Sequence, residues 1–135
     1  MISFNADPSQ TTLSTSYHAI QLLSNACYAA TVPVTATSNS SYGPAYWMAG
    51  TSGPEEYTFK AAVYNSTEII PFNLQFEGLR PGARATLTVL TAPDGLSSNV
   101  FGGSNVVQKN VTTLIAGENG FAFELENYSV AVLTT

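Results

Sequence analysis

The chain has 135 residues, of which 44% are hydrophobic and 10% charged, enough for one domain that buries roughly 70% of its unfolded surface. A net charge of −5 removes the basic surface that a nucleic-acid backbone or an anionic lipid face would require. No apolar run approaches the ~20 residues of a membrane span, so neither nucleic acid nor membrane is expected as a partner.

Charge is also unevenly placed, because residues 8–54 contain no Asp, Glu, Lys or Arg. Such a stretch is either covered by another protein surface or belongs to a secreted protein kept soluble by hydroxyls and glycans. The first seven residues lack the basic start and apolar centre of a secretory leader. Against this stand four glycosylation sequons, at Asn39, Asn65, Asn110 and Asn127, where chance alone gives about two. A chain that is the tail of a longer secreted protein would reconcile the two observations.

Leu13, Tyr17, Ile20, Leu23 and Cys27 recur at helical spacing, with Ser14 or Thr12 as the N-cap and an end near Asn25. Cys27, the single cysteine, is read as a buried small hydrophobe rather than a reactive thiol. Eight short strands follow, at residues 31–35, 45–50, 57–64, 70–76, 85–91, 106–113, 121–125 and 130–133. Turn chemistry separates them, including Gly53-Pro54, Asn65-Ser66, Pro93-Asp94-Gly95 and Gly117 to Gly120. With no helical segment between the strands, the pattern is an all-β antiparallel sandwich, jelly-roll-like, preceded by one α-helix. Pro71 inside the fourth strand implies an edge position or a bulge.

The strongest alternation is in the second and third strands, which form a hairpin. Tyr57, Phe59, Ala61 and Val63 share one face, and Trp47 alternates with Ala45 and Ala49. Trp47, Phe59, Val63, Phe121 and Phe123 are the expected core. The competing reading for Trp47 is a sugar-stacking platform with Tyr42, Tyr46, Tyr57 and Tyr64.

Chemistry finds few candidates. Glu124 and Glu126 emerge on one strand face, as a carboxylate pair for glycoside hydrolysis would, but they lie opposite Phe121, Phe123 and Leu125 and read as a solvated face. His18 has no G-x-S-x-G serine to serve and reads as a packing residue. One Cys and one His leave no metal-ligand set, and the paired glycines join strands rather than opening a helix toward phosphate. No catalytic residue, metal or cofactor is assigned.

Several strings nevertheless resemble a family. Tyr42-Gly43-Pro44-Ala45-Tyr46-Trp47-Met48-Ala49-Gly50, Phe59-Lys60-Ala61-Ala62-Val63-Tyr64-Asn65-Ser66-Thr67, Leu87-Thr88-Val89-Leu90-Thr91-Ala92-Pro93-Asp94-Gly95 and Tyr128-Ser129-Val130-Ala131-Val132-Leu133 look like the C-terminal domain of fungal α-L-arabinofuranosidases of glycoside hydrolase family 51. Ser14-Thr15-Ser16-Tyr17-His18-Ala19-Ile20-Gln21-Leu22-Leu23-Ser24 resembles the last helix of that family's catalytic barrel. The resemblance implies a (β/α)8 barrel, carrying a glutamate acid/base and a glutamate nucleophile, joined to a β-sandwich. It implies an extracellular parent enzyme that releases terminal arabinofuranose from arabinoxylan and arabinan. No glutamate of this chain falls in a matching motif, so none takes a catalytic role. Residues 1–28 are then the remnant of the barrel's last strand, loop and helix, and residues 29–135 the sandwich. The expected partner is the catalytic barrel, missing from this chain, and the chain alone should be inactive. Two alternatives remain: a binding module for arabinose-containing hemicellulose and an immunoglobulin-like interaction domain.

Overall fold

Residues 2–3, 5–36, 43–100 and 102–135 are described by the computed structural model, so the sequon at Asn39 and the aromatic residue Tyr42 lie outside the described residues. The hairpin forms as its alternation requires. Strand β4 (Ala45–Gly53) turns through Pro54 and Glu55 into β5 (Glu56–Val63), with Glu55 at a φ of 63°. The Thr51 hydroxyl donates to the Gly53 carbonyl at 2.7 Å, beside a register shift between Thr51 and Gly53. β4 is thus longer than its apolar alternation.

This hairpin is one flank of a six-stranded antiparallel sheet. With β3 (Ala30–Val32), β7 (Arg84–Thr91), β9 (Gln108–Ile115) and β11 (Ser129–Thr134), the spatial order is β3-β4-β5-β11-β7-β9. β11 is central: Leu133 faces Phe59 on one side and Leu87 on the other. Thr135 closes the seam, its hydroxyl accepting from Tyr57 N at 2.9 Å and donating to the Glu55 carbonyl at 2.7 Å.

The second layer is a two-stranded ribbon of β6 (Ile70–Leu74) and β10 (Phe121–Leu125). Pro71 lies opposite Glu124 in this ribbon, where each strand has one partner, so the missing N–H breaks no inner ladder. Aromatic rings join the layers. Phe72 stacks on Phe123 at 5.3 Å and meets Phe59 edge-on at 6.1 Å, while Phe76 stacks on Tyr57 at 4.8 Å. Phe59, Val63, Phe121, Leu125 and Leu133 are buried between them. Gly120 (φ 86°) lies so close to the Leu74 carbonyl that no Cβ would fit.

The ribbon is narrower than the sheet it covers. Trp47, near one flank, is therefore half-buried, though it packs on the core, and Phe123 is half-buried as well. Asn110 and Thr112, on the same sheet face but on edge strand β9, are exposed.

Three very short strands carry no alternation in sequence. β1 (Ile2–Ser3), β2 (Thr12–Ser14) and β8 (Ser98–Val100) form a small sheet in the order β1-β2-β8. Residues 12–14 thus pair directly with residues 98–100, far along the chain. Among the described residues the architecture is mostly antiparallel β with one short helix, as expected, with eleven strands in three sheets where about eight strands were expected.

Helix α1 (Thr15–Asn25) starts after Leu13, which belongs to β2. The expected apolar stripe is consequently out of phase. Tyr17, His18, Leu22 and Leu23 are half-buried, whereas Ile20 is 56% exposed. Cys27 is also exposed, contrary to the expectation of a buried thiol, because it lies beyond the helix end where the helical period no longer applies. Its Sγ donates to the Ser24 carbonyl at 3.2 Å.

Candidate functional site

The face of the six-stranded sheet turned away from the ribbon carries Thr58, Lys60, Leu90 and Val132, of which Thr58, Leu90 and Val132 are buried. Helix α1 lies against β11 on this side. The helix contains no charged residue and none that is fully buried, so a few directional contacts position it.

At its start Ser14 is the N-cap, with extended φ/ψ of −72° and 162°, and its hydroxyl accepts from Tyr17 N. The Thr15 N–H and hydroxyl both donate to the Ser97 carbonyl, at 2.9 and 2.7 Å. At its end the Lys60 ammonium donates to the Leu23 carbonyl at 2.8 Å. A cation there satisfies one of the otherwise unpaired last carbonyls and complements the negative end of the helix dipole. The same ammonium sits 4.9 Å from the centre of the Tyr28 ring. Tyr28 in turn packs directly on Gly50, where any Cβ would occupy the space of the ring.

Midway, buried Asn99 holds the loop after β8. Its carboxamide oxygen accepts from Val106 N at 2.7 Å and Val107 N at 2.8 Å, and its Nδ2 donates to the Val107 carbonyl at 3.0 Å. Nδ2 also lies 3.4 Å from His18 Nε2, and the His18 ring meets Tyr17 edge-on at 5.4 Å. His18 is therefore a packing residue between helix and loop. Asn99 and Lys60 are the two positioning residues missing from the sequence reading. Lys60 could have been found as a lone cation in an apolar strand; Asn99 carries no local signal.

The remaining chemistry is sparse. Glu124 and Glu126 are exposed, with Phe121 and Leu125 buried on the other face of the strand. Among the described residues no group of three or more His, Cys, Asp or Glu could hold a metal ion. No described helix is long and apolar enough to cross a membrane. Asp7 is held below the usual carboxylate range by hydrogen bonds from the Ser9 hydroxyl and the Ser9 N–H. Of the sequons, Asn65 and Asn110 are exposed and Asn127 is half-buried.

Comparison with known proteins gives this arrangement a context. Residues 1–129 match the family model of the α-L-arabinofuranosidase C-terminal domain. The chain is similar to a probable α-L-arabinofuranosidase A of Aspergillus terreus, 29% identical over 134 residues, which cover 99% of this chain and 20% of that protein. It is 30% identical over 133 residues to α-L-arabinofuranosidase A of Aspergillus niger, covering 98% of this chain and 20% of that one. An arabinose-bound GH51 α-L-arabinofuranosidase superposes with a TM-score of 0.73 at 24% identity, over 98% of this chain and 20% of that structure. The thermostable GH51 enzyme of Thermotoga petrophila gives 0.57 at 20% identity, over 68% and 19%. Both structural likenesses concern the fold. The chain spans about one fifth of the length of the curated relatives it matches. By the match across residues 1–129, the chain belongs to the α-L-arabinofuranosidase C-terminal domain family.

Proposed function

We propose that this domain is a non-catalytic part of a secreted arabinofuranosidase and that it supports a catalytic (β/α)8 barrel through the outward side of α1. Residues 1–28 belong to that barrel's last strand, loop and helix, and residues 29–135 form the supporting sandwich. The observation that carries the reading is the character of the helix. It is pinned on one side by Lys60, Ser97 and Asn99, yet its other side presents Ile20 at 56% exposure and contains no charge. A surface helix with that composition fits a partner better than it fits water. Tyr46 and Met48, 45% and 48% exposed on the same sheet face, extend the apolar area.

In this reading the parent enzyme removes terminal arabinofuranosyl groups from arabinoxylan and arabinan with two glutamates of the barrel. None of the glutamates of this chain takes part, and exposed Asn65 and Asn110 are its glycan attachment points. The purified 135-residue chain should release no arabinose from an aryl arabinofuranoside. Release that survives removal of contaminating enzyme would overturn the proposal.

A further inference from the structure

A cleft of about 540 Å³ opens where the loop after β5, the end of β7 and the turn between β10 and β11 meet. Ser66, Glu68, Gln108, Glu126, Asn127 and Tyr128 contribute to its walls. These loops are tied before any ligand arrives. The Asn127 carboxamide oxygen accepts from Ser66 N at 3.3 Å and from Tyr128 N at 3.1 Å, bridging one loop to the other. The Ser66 hydroxyl donates to the Glu68 carbonyl at 2.7 Å and accepts from Glu68 N at 3.2 Å.

Tyr128 adopts a φ of 58°. This left-handed conformation is disfavoured for a residue with a bulky side chain, and such positions persist where the surroundings fix them, often at ligand sites. Its ring meets that of Tyr64 at 5.8 Å and 70°, and Tyr64 is 60% exposed. An edge-to-face pair of phenol rings therefore stands beside the cleft.

We infer that this cleft is a binding site for a short, neutral oligosaccharide. Glu68 and Glu126 supply carboxylates that accept from sugar hydroxyls, Gln108 supplies an amide that both donates and accepts, and the phenol rings suit the C–H faces of sugar rings. No Lys or Arg lines the cleft, and the net charge of −5 opposes phosphates, sulfates and uronates. A bare divalent cation would use the two carboxylates and leave the aromatic pair without a role. The volume lies within the range of ordinary small-ligand sites. The inference concerns residues outside α1 and holds whether or not a barrel is the partner.

The test uses unglycosylated ¹⁵N-labelled chain, so that Asn65 and Asn127 carry no glycan, titrated separately with arabinopentaose, xylopentaose, an oligogalacturonide and calcium chloride. A neutral pentasaccharide should cause saturable amide shifts at Ser66, Glu68, Gln108 and Tyr128. Tyr64→Ala and Gln108→Ala should each weaken the response about tenfold, with amide spectra away from the cleft unchanged. Absence of shifts with both neutral sugars at concentrations on the order of 10 mM, an equal response to the oligogalacturonide, a response to calcium alone, or shifts confined to Tyr46 and Met48 would each overturn it. Hydrolysis of an aryl arabinofuranoside, which bears on the preceding proposal, leaves this readout untouched.

Discussion

On one face of the six-stranded sheet Phe59, Leu87 and Leu133 disappear beneath an aromatic ribbon, whereas on the other Lys60 and Val132 meet a helix with no fully buried residue. The first contact is broad and non-directional; each fully buried large side chain contributes about 1.5–3 kcal/mol. The second depends on a handful of directional contacts: the Leu23 carbonyl with Lys60, the Tyr28 ring with Gly50, the Ser97 carbonyl with Thr15, and Asn99 beside His18. A helix held in this way can be loosened without unfolding the sandwich. That is what a domain would need if the helix were shared with a partner.

Mutations can sharpen the contrast. Phe121→Ala, at 1% exposure in the ribbon, should cost about 3–5 kcal/mol and lower the urea midpoint of the whole domain. Gly50→Ala should displace Tyr28 and cost about 1–3 kcal/mol; adding Tyr28→Ala should recover part of the melting temperature. If the double variant melts below Gly50→Ala alone, the clash is not the cause. Lys60→Met removes the donor to Leu23 and should cost about 1–2 kcal/mol. Hydrogen exchange should quicken in α1 while β11 amides stay protected, and equal loss in both would erase the distinction between the faces. The smallest effect concerns Asp7. Its folded pKa is lowered, so its contribution is present above the ordinary Asp value of about 3.9 and is lost as pH falls through the lower folded value. An NMR titration of Ser9 N–H should therefore turn over below that ordinary value.

Much of the sandwich was legible because β4, β5 and β10 bury one face far more than the other, and alternation records that burial directly. The hairpin, the ribbon strand at Phe121 and the edge position of Pro71 follow from side-chain order and one missing N–H. β1, β2 and β8 did not show, since two or three residues cannot display a period. The helix was visible but its phase was not. Treating Leu13 and Cys27 as helical rotated the apolar stripe, and the boundaries that exclude them are set by contacts with Ser97 and Lys60, far away in sequence. Gly50 gave no sign of its role for the same reason, and the cleft beside Tyr128 depends on which loops the topology brings together.

The central place of β11 also governs the order of assembly. The strand that joins β5 to β7 follows both of them in chain order, so the β4–β5 hairpin and the β7–β9 pair remain two half-sheets with open edges until residues 129–134 arrive. Such edges invite pairing with other chains. During synthesis the two half-sheets should therefore stay unjoined until residues 129–134 have left the ribosome. A substitution that breaks the β11 ladder, whose residues 129–134 pair on both sides, would then delay closure of the whole sheet rather than fray one edge of it.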